Sequence, residues 1–390
     1  MKYSISLLIA FLILTLHLNC KKVGKAEAPI LTKEVNESLS NPKLDFLKLP
    51  TGFSIDYYAK NIENARSLSM SPKGTLFVGN RGGDKVYAVR DEDGDHFAET
   101  THILLEGGNM PNGVVFHEGD LYVAEVNRIL VFEDIESKLE NPGEPKVIYD
   151  KFPTEKHHGW KYIDIGPDGK LYVPVGAPCN ICESDDPVFA SITRMDLDGS
   201  NMEIVHSGIR NTVGLTWHPK TKELWSTDNN RDHWGDDRPA CELNRATRDG
   251  MHFGYPYCHQ GDLLDDEFGE GKDCADYEAP VQNLGPHCAP LGIEFSTSNM
   301  FPIQYKNDVA FIAEHGSWNR TKKIGYQISM VQLDKNHQSK SYEPFIKGWV
   351  DHESQEVFGR PVDLEWMSDG SMLISDDFSD CVYRVVYSEN

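Results

Sequence analysis

One phrase, written six times, constrains this chain more than any other feature: a turn rich in Pro, Asp or Gly, then a short apolar alternation. Its copies are Ser71-Pro-Lys-Gly-Thr-Leu-Phe-Val78, His117-Glu-Gly-Asp-Leu-Tyr-Val123, Gly166-Pro-Asp-Gly-Lys-Leu-Tyr-Val173, His218-Pro-Lys-Thr-Lys-Glu-Leu-Trp225, Lys306-Asn-Asp-Val-Ala-Phe-Ile312 and Ser368-Asp-Gly-Ser-Met-Leu-Ile374. Their starts lie 46, 49, 52, 88 and 62 residues apart. The first three intervals are the length of a four-stranded blade, and the long one holds an insertion around 258–290. Asp-Gly turns between alternating strands are hairpin chemistry, so the blades are antiparallel. Second strands follow several copies, as in Lys85-Val-Tyr-Ala-Val89, Arg128-Ile-Leu-Val-Phe132 and Cys381-Val-Tyr-Arg-Val385. The expected fold is therefore all-β: a six-bladed β-propeller of four-stranded antiparallel blades, closed into a ring that leaves few free edges. Phe53-Ser-Ile-Asp-Tyr-Tyr58 supplies the outer strand of the last blade and closes the ring. No useful length shows a sustained 3.6-residue period. A pair of two-sheet sandwiches would leave six copies of one phrase unexplained.

The propeller is expected over residues 49–390, preceded by a segment of other character. Lys2 leads into the apolar run Ile5–Leu18, which has the length of a signal-peptide core and falls short of the roughly 20 residues of a membrane span. The run ends at Cys20 and turns polar at once. This looks like a bacterial lipoprotein signal over 1–19, with Cys20 lipidated, although Asn19 stands where a small residue is usual. Residues 20–48, rich in Lys, Glu, Asn, Ser and Pro, read as a flexible tether. The expected location is outside the cytoplasm, periplasmic or at the cell surface, held to a membrane by lipid. Export permits disulfides. Apart from Cys20, seven cysteines remain, so at least one is unpaired within the chain. Cys179-Asn-Ile-Cys182 is followed by Glu183 rather than His, which excludes a c-type haem site, and no second cysteine pair at standard spacing suggests zinc. A tight-loop disulfide is the simpler reading. The formal net charge of −23 argues against nucleic acid, which needs basic faces; it suits a protein acting on neutral sugars or one holding cations.

Propellers present ligands at the mouth of the central channel, on loops between strands, so polar clusters beside the repeated phrase are the candidates. In Lys156-His157-His158-Gly159-Trp160, a histidine is suited to take a proton near neutral pH, whereas a lone histidine is more often structural. His157 and Trp160 are placed on the substrate. In Gly208-Ile-Arg-Asn-Thr-Val-Gly-Leu215, Arg210 offers a rigid fork to a carboxylate or quinone oxygen, or else is salt-bridged across the channel. Asp228-Asn-Asn-Arg-Asp-His-Trp-Gly-Asp-Asp237, with Glu242 beyond it, is dense in oxygen donors of the kind Ca²⁺ needs, but lacks EF-hand spacing and also reads as a solvated acidic turn. The candidate metal ligands are Asp228, Asn229, Asp232, Asp236 and Glu242.

Taken in order, these stretches resemble the glucose/sorbosone dehydrogenase family. The resemblance is carried by Gly208-x-Arg-Asn-x-x-Gly-Leu215, Asp228–Asp237, Glu242-Leu-Asn244, Phe253-Gly-Tyr-Pro256, His287-Cys-Ala-Pro-Leu-Gly292, Glu314-His-Gly-Ser-Trp-Asn-Arg320 and Gly359-Arg-Pro-Val-Asp363 before Ser375-Asp-Asp377. Leu49-Pro-Thr-Gly-Phe53 and Met110-Pro-Asn-Gly113 fit too. The resemblance implies a propeller that binds pyrroloquinoline quinone (PQQ) with calcium and oxidises sugars or related hydroxy compounds, a histidine removing the hydroxyl proton. It implies His158 as that base, because it stands eight residues ahead of Gly166-Pro-Asp168, and Arg210 with Asn211 as the pair contacting quinone and substrate. Where the soluble glucose branch has a quinone-binding lysine, this chain offers His315. That branch's Arg-x-Arg-Asp is reduced here to Arg360-Pro-Val-Asp363. A charged His315, or Arg320, is expected to make up the missing cations, and the departures point to the sorbosone-like branch rather than to glucose. The electron acceptor is not legible. Two other readings compete: a Ca²⁺-dependent lactonase-type hydrolase, which would need no quinone contacts, and a non-catalytic surface propeller binding glycans or proteins.

Overall fold

The computed structural model describes residues 44–389, so the leader, Cys20 and most of the tether lie outside it. The expected ring is present, as six blades with the strand order of a propeller. Blade 1 runs outward through Ala65–Met70, Thr75–Asn80, Val86–Arg90 and Thr100–Leu105, and blade 2 through Gly113–His117, Asp120–Ala124, Ile129–Phe132 and Lys146–Tyr149. Blade 3 has Asp164–Ile165, Leu171–Val175, Ser191–Met195 and Glu203–Ser207; blade 4 has Gly214–Trp217, Leu224–Asp228, Ala240–Ala246 and Gln282–Pro286. Blade 5 has Pro290–Phe295, Val309–Glu314, Gln327–Leu333 and Ser339–Lys347; blade 6 has Pro361–Trp366, Met372–Asp376 and Cys381–Tyr387. The fourth strand of blade 6 comes from the other end of the chain: Phe53–Lys60 pairs antiparallel with Cys381–Tyr387, Phe53 opposite Tyr387.

Each copy of the repeated phrase is the first hairpin of a blade. Gly74, Gly169 and Gly370 adopt φ of 87°, 73° and 88° there, a conformation open to glycine without steric cost. Blades 4 and 5 lack that glycine and use Lys222, Asn307 and Asp308 at positive φ instead. The long interval is accounted for in blade 4. Between Ala246 and Gln282 the chain adds Met251–His252 in parallel to blade 3's outer strand, then a small hairpin stapled by the Cys258–Cys274 disulfide. Strands are apolar on both faces because each sheet packs between two others. The largest cluster joins blades 5 and 6 through Phe301, Phe311, Phe345, Trp349 and Tyr383.

The boundary expected at residue 49 is too late. Leu44 and Leu47 are each 5% exposed within that cluster, and Lys48 exchanges backbone hydrogen bonds with Lys347, at 2.7 and 3.2 Å. Two leucines spaced to bury against blade 5 were masked by the polar composition around them. Cys179 and Cys182 are joined in the tight-loop disulfide that their spacing suggests, and Cys241, Cys288 and Cys381 are buried thiols.

Candidate functional site

Strand direction sends the same loops of every blade to one end of the ring: those after each second strand, and those entering each first strand. Arg81, Asn229, His315 and Asp377 follow second strands, while His158, Arg210 and Arg360 precede first strands. Together with Arg66 of the innermost strand of blade 1, most of these line one cavity of about 210 Å³. A second cavity of about 270 Å³ lies beside the Cys179–Cys182 loop; it is lined by Glu183 and Asp186 and by no arginine, so the first is the one with converging charge.

On one wall stands His158, 8% exposed and at φ 49°. Its Nδ1 lies 2.8 Å from the Ala177 carbonyl. A carbonyl only accepts, so Nδ1 carries the proton and Nε2 keeps its lone pair. Burial, and then the Arg210 charge, push the His158 pKa well below the ordinary histidine value, so the ring is neutral through the physiological range. His157 packs against it with ring centroids 4.1 Å apart, exposed, and is lowered by the same two causes. Arg210, 2% exposed, donates from Nε to the Asn180 carbonyl (2.7 Å), from Nη1 to the Asn229 carbonyl (2.9 Å), and from Nη2 to Asn180 Oδ1 (2.9 Å) and Asp232 Oδ2 (3.1 Å). It is thus both at the cavity and salt-bridged. Asn211 lines the cavity beside it, its backbone N–H fixed on Asp228.

Across the cavity are Arg66 and Arg81, cations that the sequence does not single out, and Arg360, which it does. Arg66, 1% exposed, donates to Asn112 Oδ1 and Asp377 Oδ2, both at 2.9 Å. Arg81 lies over the Trp160 ring, its guanidinium carbon 3.6 Å from the centroid, and among the described residues its enclosed Nε has no hydrogen-bond partner. Burial, and then the neighbouring Arg66, lower its pKa to about 10. Arg360 donates to the carbonyls of His315 (3.1 Å) and Gly316 (3.0 Å). Trp318 stands at the mouth, 65% exposed although it lines the cavity.

Three expectations are corrected. His315 lines the cavity but is not a charged substitute for lysine: burial drives its pKa down to about 4, and its Nε2–H is donated to Asp377 at 2.7 Å. Asp377 itself stays ionised, because His315 and Arg66 together outweigh the burial that would raise it. Arg320 does not reach the cavity; its guanidinium lies beside Asp237 (3.3 Å) and the Lys322 and Pro286 carbonyls on the rim. The expected metal ligands do not converge. Asp228 accepts the N–H groups of Arg210 and Asn211, Asn229 donates to Asn211 and Pro290 carbonyls, and Asp232 holds Arg210 and Asn319. Asp236 accepts from Thr321 on the surface, and Glu242 is enclosed by Asn230, Asn244 and Gln260. These oxygens are spent on fixing the loop, as buried polar groups must be. His157 and Trp160 sit beside His158, their ring centroids 4.1 and 6.0 Å from its own.

The chain matches the TrAA12-like family over residues 47–388. An uncharacterised protein of Borreliella burgdorferi is 31% identical over 357 residues, 88% of this chain and 91% of that protein. The PQQ-dependent pyranose dehydrogenase of Coprinopsis cinerea is 22% identical over 407 residues, 87% of this chain but 54% of that protein, so the chain spans about half the length of this fungal relative. The PQQ domain of the Coprinopsis cinerea enzyme, in its holo form, superposes with a TM-score of 0.75 at 18% identity, covering 87% of this chain and 97% of the domain. The calcium structure of Trichoderma reesei Carbohydrate-Active Enzymes Family AA12 superposes with a TM-score of 0.79 at 19% identity, covering 91% and 100%. These superpositions establish a shared propeller. The sequence match runs from the segment before the closing strand to the last strand of blade 6, and with it the chain belongs to the TrAA12-like family.

Proposed function

We propose that the chain is a sugar oxidoreductase that uses PQQ, with His158 as the base. The observation that carries this reading is the pairing, in one cavity, of a neutral imidazole of fixed tautomer with an arginine whose enclosed Nε has no partner among the described residues. PQQ is a flat tricarboxylate, and Arg66, Arg81 and Arg360 with Asn211 are the residues that would hold it. Arg81, stacked on Trp160, still has a donor to give. When bound, the quinone supplies the electron sink, accepting two electrons as hydride from the sugar carbon. His158 accepts the hydroxyl proton at Nε2, while the Ala177 carbonyl keeps Nδ1–H in place and spreads the charge that develops on the ring. Arg210 and Asn211 orient the reacting oxygen beside it, and Trp318 offers an apolar face at the mouth against which a sugar ring stacks.

The Trichoderma reesei relative is a calcium structure, and calcium is expected from the family resemblance. The five side chains singled out from the sequence do not fit a cation site, however, being engaged with one another's loops. The same commitment of carboxylates counts against the hydrolase reading, which needs a metal at the mouth. Lipid attachment at Cys20, holding the propeller outside the cytoplasm, is part of the proposal; N-terminal mass spectrometry of the native chain tests it.

The test of function is a titration of the quinone-free chain with PQQ, followed by absorbance and by sugar-dependent reduction of an artificial dye. The expected result is saturable binding, with turnover in the chain and a loss of about 10²–10⁴-fold in His158→Ala, which still binds PQQ. A His158→Ala chain that keeps a tenth of the rate, or a wild-type chain that binds no quinone, overturns the reading.

A further inference from the structure

We propose that the Cys179–Cys182 disulfide loop is a clamp that sets the orientation of Arg210 relative to His158, with Asn180 as its positioning residue. This rests on the proposed function for its catalytic consequence, though not for its geometry. Among the described residues, two of the four acceptors of the Arg210 guanidinium belong to Asn180: its carbonyl takes Nε at 2.7 Å and its Oδ1 takes Nη2 at 2.9 Å. The same Oδ1 accepts the Asp232 N–H at 2.8 Å, and Asn180 Nδ2 donates to the Asp232 carbonyl at 3.1 Å. Asp232 is in turn the carboxylate paired with Arg210, at 3.1 Å. Asn180 thereby fixes the arginine and its counter-ion with one side chain.

Several features hold Asn180 itself. The Cys179–Cys182 bond closes a ring three residues in separation around it, with Cα atoms 6.2 Å apart. The hydroxyl of buried Tyr255 lies 3.1 Å from the Cys182 N–H and 3.5 Å from Cys179 Sγ. A few residues earlier, Ala177 donates its N–H to the Arg210 carbonyl at 2.8 Å and presents its own carbonyl to His158 Nδ1 at 2.8 Å. One short segment, Ala177–Cys182, therefore touches both the base and the arginine. A guanidinium held by a single carboxylate can swivel about that contact; one gripped on Nε and Nη2 together has its plane fixed.

The experiment uses the full chain in two variants that attack different halves of the clamp. Asn180→Ala removes the side-chain contacts and leaves the carbonyl; the double variant Cys179→Ser/Cys182→Ser leaves the side chain and frees the backbone. Each is read by kcat/KM for dye-linked sugar oxidation, and by NMR titration of the His158 imidazole in the quinone-free chain, assigned with His158→Ala. The charged or titratable groups that act on His158 are Arg210, His157 and Arg81. Letting Arg210 swing away weakens its repulsion of imidazolium, so His158 titrates at higher pH in both variants. The loss in kcat/KM is expected to be about 10–100-fold. A chain that oxidises no sugar overturns the proposed function and leaves the titration to judge the clamp. Should Asn180→Ala fail to fold, the double variant decides alone. His158 titrating as in wild type in either folded variant overturns the clamp.

Discussion

Asp377→Asn isolates the charge that ties blade 6 to blades 1 and 5. The carboxylate accepts from Arg66 at 2.9 Å and from His315 at 2.7 Å, and the Arg66 and Asp377 side chains are 1% and 9% exposed. Breaking a buried pair by removing one partner costs about 3–5 kcal/mol, because the survivor is left as an uncompensated charge. Asparagine still offers one acceptor oxygen, which offsets about 1 kcal/mol and leaves a loss of about 2–4 kcal/mol. With about 2.1 cal/mol/K per residue over the described propeller, the entropy of unfolding is roughly 0.7 kcal/mol/K, and the melting temperature falls by about 3–6 °C. The sign with pH follows from the depressed pKa of Asp377. Its contribution is fully present above the unfolded carboxylate value of about 3.9 and is lost as pH falls through the lower folded value. Differential scanning calorimetry of both chains from pH 8 to 3 should therefore show a constant gap down to about pH 4 that begins to narrow below it. A gap under 1 °C at pH 7, or one that closes between pH 8 and 5, refutes the buried pair as described.

Arg81→Gln, which keeps a polar side chain beside Trp160 but removes the charge, weakens PQQ binding by about 10-fold or more in the absorbance titration, since a charge-assisted contact contributes about 1.5–3 kcal/mol. Because the pKa of His158 is lowered, the acid limb of the kcat/KM profile falls below the ordinary histidine range, and activity stays level from pH 8 to 6. A chain shortened to begin at residue 49 loses Leu44 and Leu47 and melts about 4–8 °C lower by calorimetry. Asp236→Asn, on the surface with Thr321 as its only partner among the described residues, leaves the rate and the metal content by elemental analysis unchanged.

The ring was legible because its information is local. A hairpin turn needs particular residues at particular offsets, and six copies of that need stand out without any knowledge of contacts. His158 and Arg210 were legible for a related reason, lying in connections that lead straight into a first strand. Arg66 was not, since a single arginine in Ala65-Arg-Ser-Leu-Ser-Met70 reads as an ordinary strand residue until that strand is known to be innermost. Arg81 and Asp377 carried a signal that comparison of the six copies could have found. Each is the residue immediately after the second strand of its blade, the register that in blade 5 is His315. The five candidate metal ligands do not converge, and an oxygen-rich loop looks the same in sequence whether its donors face a cation or each other. The partners that decide it, such as Asn319 for Asp232 and Gln260 for Glu242, come from other loops.

The seam between Phe53–Lys60 and Cys381–Tyr387 also governs the order in which the molecule can be made. Its two strands are among the first and last of the propeller to leave the ribosome, and at about 5–20 residues per second roughly 15–65 s separate them. Throughout that interval the early strand, with Ile55 and Tyr57 alternating along it, is an open edge of the kind that recruits other chains. The blades can form one after another, since each is a local unit, but the ring cannot latch until the carboxyl-terminal strand arrives. Loss of even the last few residues would therefore be felt at the opposite end of the sequence, as an amino-terminal strand left without a partner.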